Sequence, residues 1–469
     1  MEHFARYIEK VKSLETIQFI GRVEKVQALL IESVGPPVVI GEICEIELPH
    51  GRIFAEAVGL CGKTVQLMPF SACEGVEVGA LVRATSESLH VGVSGRMLGR
   101  ILNALGEPMD DKGPIYAEDF YPVMAHSPDI LNRKNISEQV ATGIRAIDGF
   151  IPTGKGQRMG IFSGSGVGKS TILGMIARNT SADVNVIALI GERGREVREF
   201  IEQDLGEEGL RRSVIVVSSG DTPPAARLKG AYAATAIAEY FRDQGKDVML
   251  LFDSVTRFAR AQREIGLATG EAPATRGFPP STFSVLPALL ERCGTSEKGT
   301  ITGFYSVLVE GDDLDEPISD TIRGILDGHV VLSRHLAQSN HYPAVDILQS
   351  VSRLATKIST PEIQRAARYV RGLISLYRDN EDLINIGAYT AGTNPTLDEA
   401  IRRNGEFNDF LKQEIAECST LEETHRALSE MMAGEPAPPA PTHDALRTSA
   451  LAQESRRKSA PHNVPLTYN

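Results

Sequence analysis

The sequence lacks several things, and each lack closes off a class of protein. Cysteines number five, and Cys44, Cys61, Cys73, Cys293 and Cys418 stand far apart with no CxxC pair and no histidine cluster beside them. That pattern argues against a disulfide scaffold or a zinc site and for reduced thiols in a cytosolic protein. No run of eighteen or more apolar residues occurs, so no transmembrane helix is expected. The opening, MEHFARYIEKVK, has no apolar core of the secretory kind, so it is not read as a signal peptide. Positive charge is not in surplus: 49 Lys and Arg face 61 Asp and Glu, a net charge of −12, which disfavours a protein that coats nucleic acid. Tryptophan is absent, and nothing functional follows from that. No internal repeat is evident.

What is present is enough chain, 469 residues, for two to four domains with ample cores. Residues 1–16 place Phe4, Ile8, Val11 and Leu14 about one helical turn apart. They read as an amphipathic helix, packed on its own domain or docking a partner or membrane surface. Residues 17–90 break into short β-like runs at 19–23, 28–33, 38–48, 52–60, 64–68 and 80–85, separated by Gly, Pro and Ser. That texture indicates a small β-barrel with a structural role. Residues 91–150 form a connecting stretch with long Pro-containing loops, of the kind that is usually functional or interfacial. From 151 to about 375 apolar strands such as 184–190, 213–217 and 248–252 alternate with helical patterns. The expected fold class is therefore α/β, with a parallel sheet covered on both faces. The core domain is assigned to 91–375. Residues 376–433 read as a helical domain, with helices at 399–415 and 421–432. Residues 434–469 open on a Pro/Ala-rich run and read as a disordered tail.

One stretch carries the chemistry. A strand-like run at 158–162 leads into Ser163-Gly164-Ser165-Gly166-Val167-Gly168-Lys169-Ser170-Thr171, and a helical pattern follows. Strand, glycine-rich turn and helix in that order make a phosphate-binding loop. Glycines let backbone N–H groups curl toward one phosphate without Cβ clashes, and the helix N-terminus adds partial positive charge. Lys169 supplies a point charge for the β- and γ-phosphates, and Ser170 offers its hydroxyl to Mg²⁺. The pattern G-x-x-x-x-G-K-[ST] fails only at its first position, Ser163. The alternative is a glycine-rich turn that binds nothing.

Three further elements could complete the site. Asp253 ends an apolar strand, where P-loop enzymes hold Mg²⁺. Glu192 follows another buried strand, in Gly191-Glu192-Arg193, and a carboxylate at that sheet edge can orient water for in-line attack. It could equally be a solvated surface charge. Arg353 closes the segment His341-Tyr342-Pro343 to Ser350-Val351-Ser352-Arg353. A guanidinium there could offset charge in phosphoryl transfer, often from a neighbouring subunit, or be structural.

In this order the motifs resemble the α/β subunits of rotary ATP synthases over residues 17–433, and within that superfamily the type III export ATPases, above all the flagellum-specific branch. The stretches carrying the finer likeness are Val309-Glu310-Gly311-Asp312-Asp313-Leu314-Asp315-Glu316-Pro317-Ile318, residues 325–334, Arg276-Gly277-Phe278-Pro279-Pro280-Ser281 and Ile386-Gly387-Ala388-Tyr389. The resemblance implies an N-terminal β-barrel, a RecA-like core and a C-terminal helical domain in a homohexamer that hydrolyses ATP with Mg²⁺. It implies that residues Ser163 to Thr171 bind the triphosphate and that Ser170 and Asp253 serve Mg²⁺. Lys169, Glu192 and Arg193 then act in catalysis, with Arg353 reaching the adjacent subunit. It further implies a cytoplasmic location at the inner-membrane export apparatus, with peripheral membrane contact only. The implied partners are a stator-like regulator on the N-terminal helix, a coiled-coil stalk protein, an export gate and chaperone–cargo complexes. In the ATP synthase β subunit an adenine-stacking tyrosine follows the arginine motif; Glu362-Ile363-Gln364 carries no aromatic there.

Competing readings differ in testable ways. An injectisome ATPase shares the chemistry and differs in cargo. A rotary synthase catalytic subunit demands a non-identical partner. A hexameric RNA translocase needs a basic, aromatic-bearing face, which the acidic balance does not offer. A non-catalytic nucleotide-binding subunit lacks the carboxylate that Glu192 supplies.

Overall fold

The computed structural model describes residues 19–432. The helix expected at 1–16 and the tail expected at 434–469 lie outside them. The described residues begin with six antiparallel strands that close into a barrel. Around it they run Ile20–Val26, Ile31–Val34, Thr64–Pro69, Gly51–Cys61, Glu42–Leu48 and Leu81–Ser88, the last pairing back to the first. Alternation builds it. In Gly51–Cys61, Ile53, Ala55 and Ala57 point inward, joining Val23, Ile31, Ile46, Leu67 and Val82 in a core of their own. One crossing is tight enough to demand glycine: a Cβ on Gly21 would stand 2.0 Å from the carbonyl oxygen of Gly35.

The central unit is a nine-stranded, mostly parallel sheet. Across it the order is Val351–Ser352, Gly328–Leu332, Arg158–Ser163, Thr300–Leu308, Asp247–Asp253, Val184–Ile190, Ser213–Ser218 and Arg100–Leu102, with Gly294–Thr295 paired onto Thr300–Leu308. The stretch read as a connection thus supplies an edge strand, Arg100–Leu102. All seven residues of Val184–Ile190 are buried, as expected of a strand covered on both faces. The two faces feed different cores. Val186, Ala188 and Ile190 pack with helix Pro224–Asp243, while Ile187 and Leu189 pack with helix Lys169–Asn179. The C-terminal part comprises helices Pro361–Asn385, Pro395–Leu411 and Leu421–Met432, whose buried residues join the second core.

Helix Pro224–Asp243 is buried almost throughout, and its alanines let it lie close to the sheet. From it Lys229 reaches Glu56 of the barrel, with Nζ 2.6 Å from Oε1 and side chains only 5% and 13% exposed. Breaking such a pair leaves one charge buried without its partner. Lys229→Met is expected to destabilise the chain by about 3–5 kcal/mol, and Lys229→Met with Glu56→Met to recover most of that loss. Urea unfolding of the parent and the two variants checks both expectations.

Candidate active site

Parallel pairing brings the strand ends to one edge. Ser163 is level with Leu308 and with Leu332, and Leu189 with Asp253. The phosphate-loop motif therefore opens where Glu192 and Asp253 also emerge. Gly166 and Gly168 have φ values of 78° and 90°, which glycine adopts without strain, and Gly168 caps helix Lys169–Asn179. Lys169 is the first helical residue and turns into the site.

Its ammonium sits between two buried carboxylates. Nζ is 3.3 Å from Glu192 Oε1 and also bonds Asp253 Oδ1, which accepts a second bond from Ser306 Oγ at 2.6 Å. Burial, the largest influence on this lysine, acts to lower its proton affinity. The Asp253 and Glu192 charges, with their hydrogen bonds, outweigh it, and the pKa is raised. A raised lysine pKa means that its stabilising charge is present at neutral pH and is lost only as pH rises through the folded-state value.

Glu192 is also held by Arg257, through Nε to Oε1 at 3.1 Å and Nη2 to Oε2 at 2.9 Å. Its backbone is fixed as well, since Gly220 N donates to Glu192 O at 2.9 Å. Arg257 was not among the residues singled out from the sequence. A signal was available. It lies in the first turn of helix Val255–Ala268, where a cation opposes the helix dipole and so needs another reason to be there.

A cleft of about 600 Å³ opens over these groups. Lys169, Arg193, Arg257, Arg260 and Arg334 line it against Glu192, Glu196 and Glu310, so its charge favours a polyanion. Gly164, Ser165, Gly166, Gly168, Ser170 and Thr171 line it too. Val167 is buried and lines a second cleft. At the foot of the loop the buried Ser163 Oγ has no hydrogen-bond partner. Arg193 stands on the rim with its side chain 81% exposed and a loose pairing to Glu196 at 3.7 Å. Among the described residues no group of three or more His, Cys, Asp or Glu could hold a metal ion alone. The oxygen donors Ser170 and Asp253 suit Mg²⁺ only when ligand phosphates complete its shell.

Arg353 and residues 362–364 lie away from the cleft of their own chain. Arg353 follows Val351–Ser352, which pairs with Gly328 and His329 at the far end of a strand whose near end, Leu332, flanks Ser163. Its N donates to Asp327 O at 3.0 Å and its Nη2 to Arg323 O at 3.2 Å. The sheet thus separates Arg353 from its own phosphate loop by about 13 Å of strand. Glu362, Ile363 and Gln364 open helix Pro361–Asn385, and Ile363 and Gln364 line a cleft with Phe150 and Pro152. The aromatic beside the phosphate loop is Tyr342. It lines the second cleft, of about 410 Å³, with Val167, Gly168, Met175 and Gln413. Its ring is 3.9 Å from a Cβ built on Gly168. The sequence signal available was a tyrosine next to a proline, Tyr342-Pro343.

The chain is similar to known proteins over most of its length. The ATP synthase alpha/beta family nucleotide-binding domain matches residues 143–352, the family's beta-barrel domain matches 23–86, and the T3SS EscN ATPase C-terminal domain matches 359–430. The flagellum-specific ATP synthase of Treponema pallidum (strain Nichols) is 55% identical over 426 residues, 90% of this chain and 95% of that protein. The type 3 secretion system ATPase of Xanthomonas euvesicatoria is 47% identical over 411 residues, 87% of this chain and 93% of that protein. Among solved structures, the assembled ATPase EscN of the enteropathogenic E. coli type III secretion system matches with a TM-score of 0.82 at 43% identity, covering 88% of this chain and 99% of that one. EscN in complex with its central stalk EscO matches equally well.

Lys169→Ala removes the charge between the carboxylates and is expected to abolish binding of a fluorescent triphosphate analogue. Titration by fluorescence anisotropy checks it, with circular dichroism to show that the fold persists.

Proposed function

Since the chain belongs to the flagellum-specific and type III secretion ATPases of the ATP synthase alpha/beta family, we propose that its converging strand ends are one part of a hydrolytic site that a second copy completes. The protein is an ATPase of type III protein export. The flagellar system is the preferred one, on the 55% identity to a flagellum-specific relative. An injectisome is the alternative, and gene neighbours, basal-body or needle genes, distinguish them.

In this reading residues Ser163 to Thr171 cradle the triphosphate. Lys169 leaves Glu192 for the β- and γ-phosphates, which frees Oε1. Glu192, still oriented by Arg257, then takes a proton from water as its oxygen attacks the γ-phosphorus and the bond to the β-phosphate oxygen breaks. Ser170 and Asp253 would hold Mg²⁺, which when bound would supply charge that offsets that of the phosphates. Arg193 faces the same phosphates from the rim. Tyr342 and the second cleft receive the base. Arg353 of each copy serves the cleft of the next, and the observation that carries this is its position at the opposite end of the sheet from Lys169.

The proposed assembly is a homohexamer of three-part chains, with the barrel at 17–90, the core at 91–375 and the helical domain at 376–433. A coiled-coil stalk, by analogy with the EscN–EscO complex, would sit in it. A stator-like regulator on residues 1–16, the export gate and chaperone–cargo complexes are the further partners proposed, with no nucleic acid. Among the described residues no helix is long and apolar enough to cross a membrane. The proposed location is cytoplasmic, at the inner-membrane export apparatus and touching the membrane only peripherally.

Glu192→Gln keeps shape and loses the base, so it is expected to bind ATP while turnover falls by about 10²- to 10⁴-fold. Parental turnover in that variant rejects the assignment. For Arg353, turnover per chain should rise cooperatively with chain concentration. Arg353→Ala alone should fall by about 10³-fold or more. Mixing it with Lys169→Ala chains should restore some activity, because some interfaces then pair an intact arginine with an intact loop. Mixtures no more active than their parts contradict a shared site.

A further inference from the structure

The cleft holds more positive charge than the phosphate loop and its carboxylates account for. Arg260, on helix Val255–Ala268, and Arg334, at the start of helix Arg334–Gln338, both line it. Each is engaged by the same loop, residues 309–316. Arg260 Nη2 pairs with Glu310, and Arg334 Nη2 lies 3.4 Å from Asp312 Oδ1. The root of this loop is fixed beside the phosphate site. Val309 N donates to Ser163 O at 2.9 Å, and Leu308 N to Thr256 Oγ1 at 2.9 Å. Beyond the root the backbone passes through two left-handed residues in a row, Gly311 at φ 65° and Asp312 at φ 59°. A Cβ built on Gly164 would be 2.8 Å from both Arg334 Nη2 and Asp312 Oδ1, so this pair rests against the phosphate loop itself. Outside the cleft the loop has two more ion pairs, Asp313 with Arg276 at 3.5 Å and Asp315 with Arg323 at 3.1 Å.

We propose that loop 309–316 is an acidic latch in which Glu310 and Asp312 compete with nucleotide phosphates for Arg260 and Arg334, so that triphosphate binding releases the loop. The inference rests on the reading of the cleft as a triphosphate site. Its physical basis is the difference between two kinds of pair. The latch pairs are half exposed, with side-chain exposures of 42% and 69% for Arg260 and Glu310 and 48% and 54% for Arg334 and Asp312. Pairs so open to water are weak and easily exchanged. A phosphate accepts bidentate bonds from a guanidinium, carries more charge than a carboxylate, and already lies at a helix N-terminus. Arg257 does not exchange, because its partner Glu192 is buried and bonded twice to it. Losing its two inner pairs leaves the loop held at its root and, beyond it, by Asp313 and Asp315, both at the surface. The state of the nucleotide is thereby written onto an exposed acidic segment.

The test measures binding of inorganic triphosphate, as its magnesium salt, to the full-length chain by calorimetry, together with hydrogen exchange over residues 309–316. In the parent, triphosphate should accelerate exchange in the loop. Glu310→Gln with Asp312→Asn should bind triphosphate about tenfold more tightly, and its loop should exchange fast with or without ligand. Arg260→Gln with Arg334→Gln should bind about tenfold more weakly. A carboxylate-neutral variant that binds no more tightly than the parent overturns the latch, as does loop exchange that triphosphate leaves unmoved. Lys169→Ala separates this from the wider reading. If the parent binds triphosphate and Lys169→Ala does not, the cleft is a triphosphate site whatever the loop does. If the parent binds none, both fall.

Discussion

One buried cation governs the architecture. Lys169 lies between Asp253 and Glu192 at a sheet edge where no single strand could have assembled the three. Two carboxylates side by side repel, and a desolvated ammonium alone would shed its proton; together with Arg257, which pairs with Glu192, their charges balance. The parallel sheet exists, in functional terms, to deliver these groups to one edge. Every other feature of the site is arranged around that balance. Ser306 holds Asp253, Arg257 holds Glu192, and the glycines of the loop leave room for phosphate oxygens.

Much of this was legible in the sequence, because the signals were local. A glycine-rich turn between strand and helix is a property of consecutive residues, and so are an apolar strand leading to Glu192 and one ending in Asp253. The barrel strands were visible for the same reason: alternation is written in each strand, as in Ile53, Ala55 and Ala57. What was not legible depends on residues that meet only after folding. Arg257 is four positions past Asp253, but its partner is more than sixty residues away. Tyr342 comes beside the phosphate loop only because its own loop, after helix Arg334–Gln338, folds back next to Val167 and Gly168, more than 170 residues earlier in the chain. The edge strand Arg100–Leu102 is three residues long and gains its identity only by pairing with Ser213–Ser218.

The barrel is not simply appended. Helix Pro224–Asp243 begins just beyond Gly220, which hydrogen-bonds the backbone of Glu192, and farther along it presents Lys229 to Glu56. A single rigid helix therefore connects the backbone beside Glu192 to the wall of the barrel. Its alanine-rich surface, packed close against the sheet, leaves little freedom for one end to shift without the other.

The placement of Arg353 has a consequence for symmetry. On the proposed reading, a chain with its cradle at one end of a sheet strand and the arginine it lends at the other has two unlike faces. Copies joined in that way follow one another nose to tail, because a twofold axis sets like face against like. Repeating such a join produces either a closed circle or an unending screw, and the wedge angle between the two faces alone decides which.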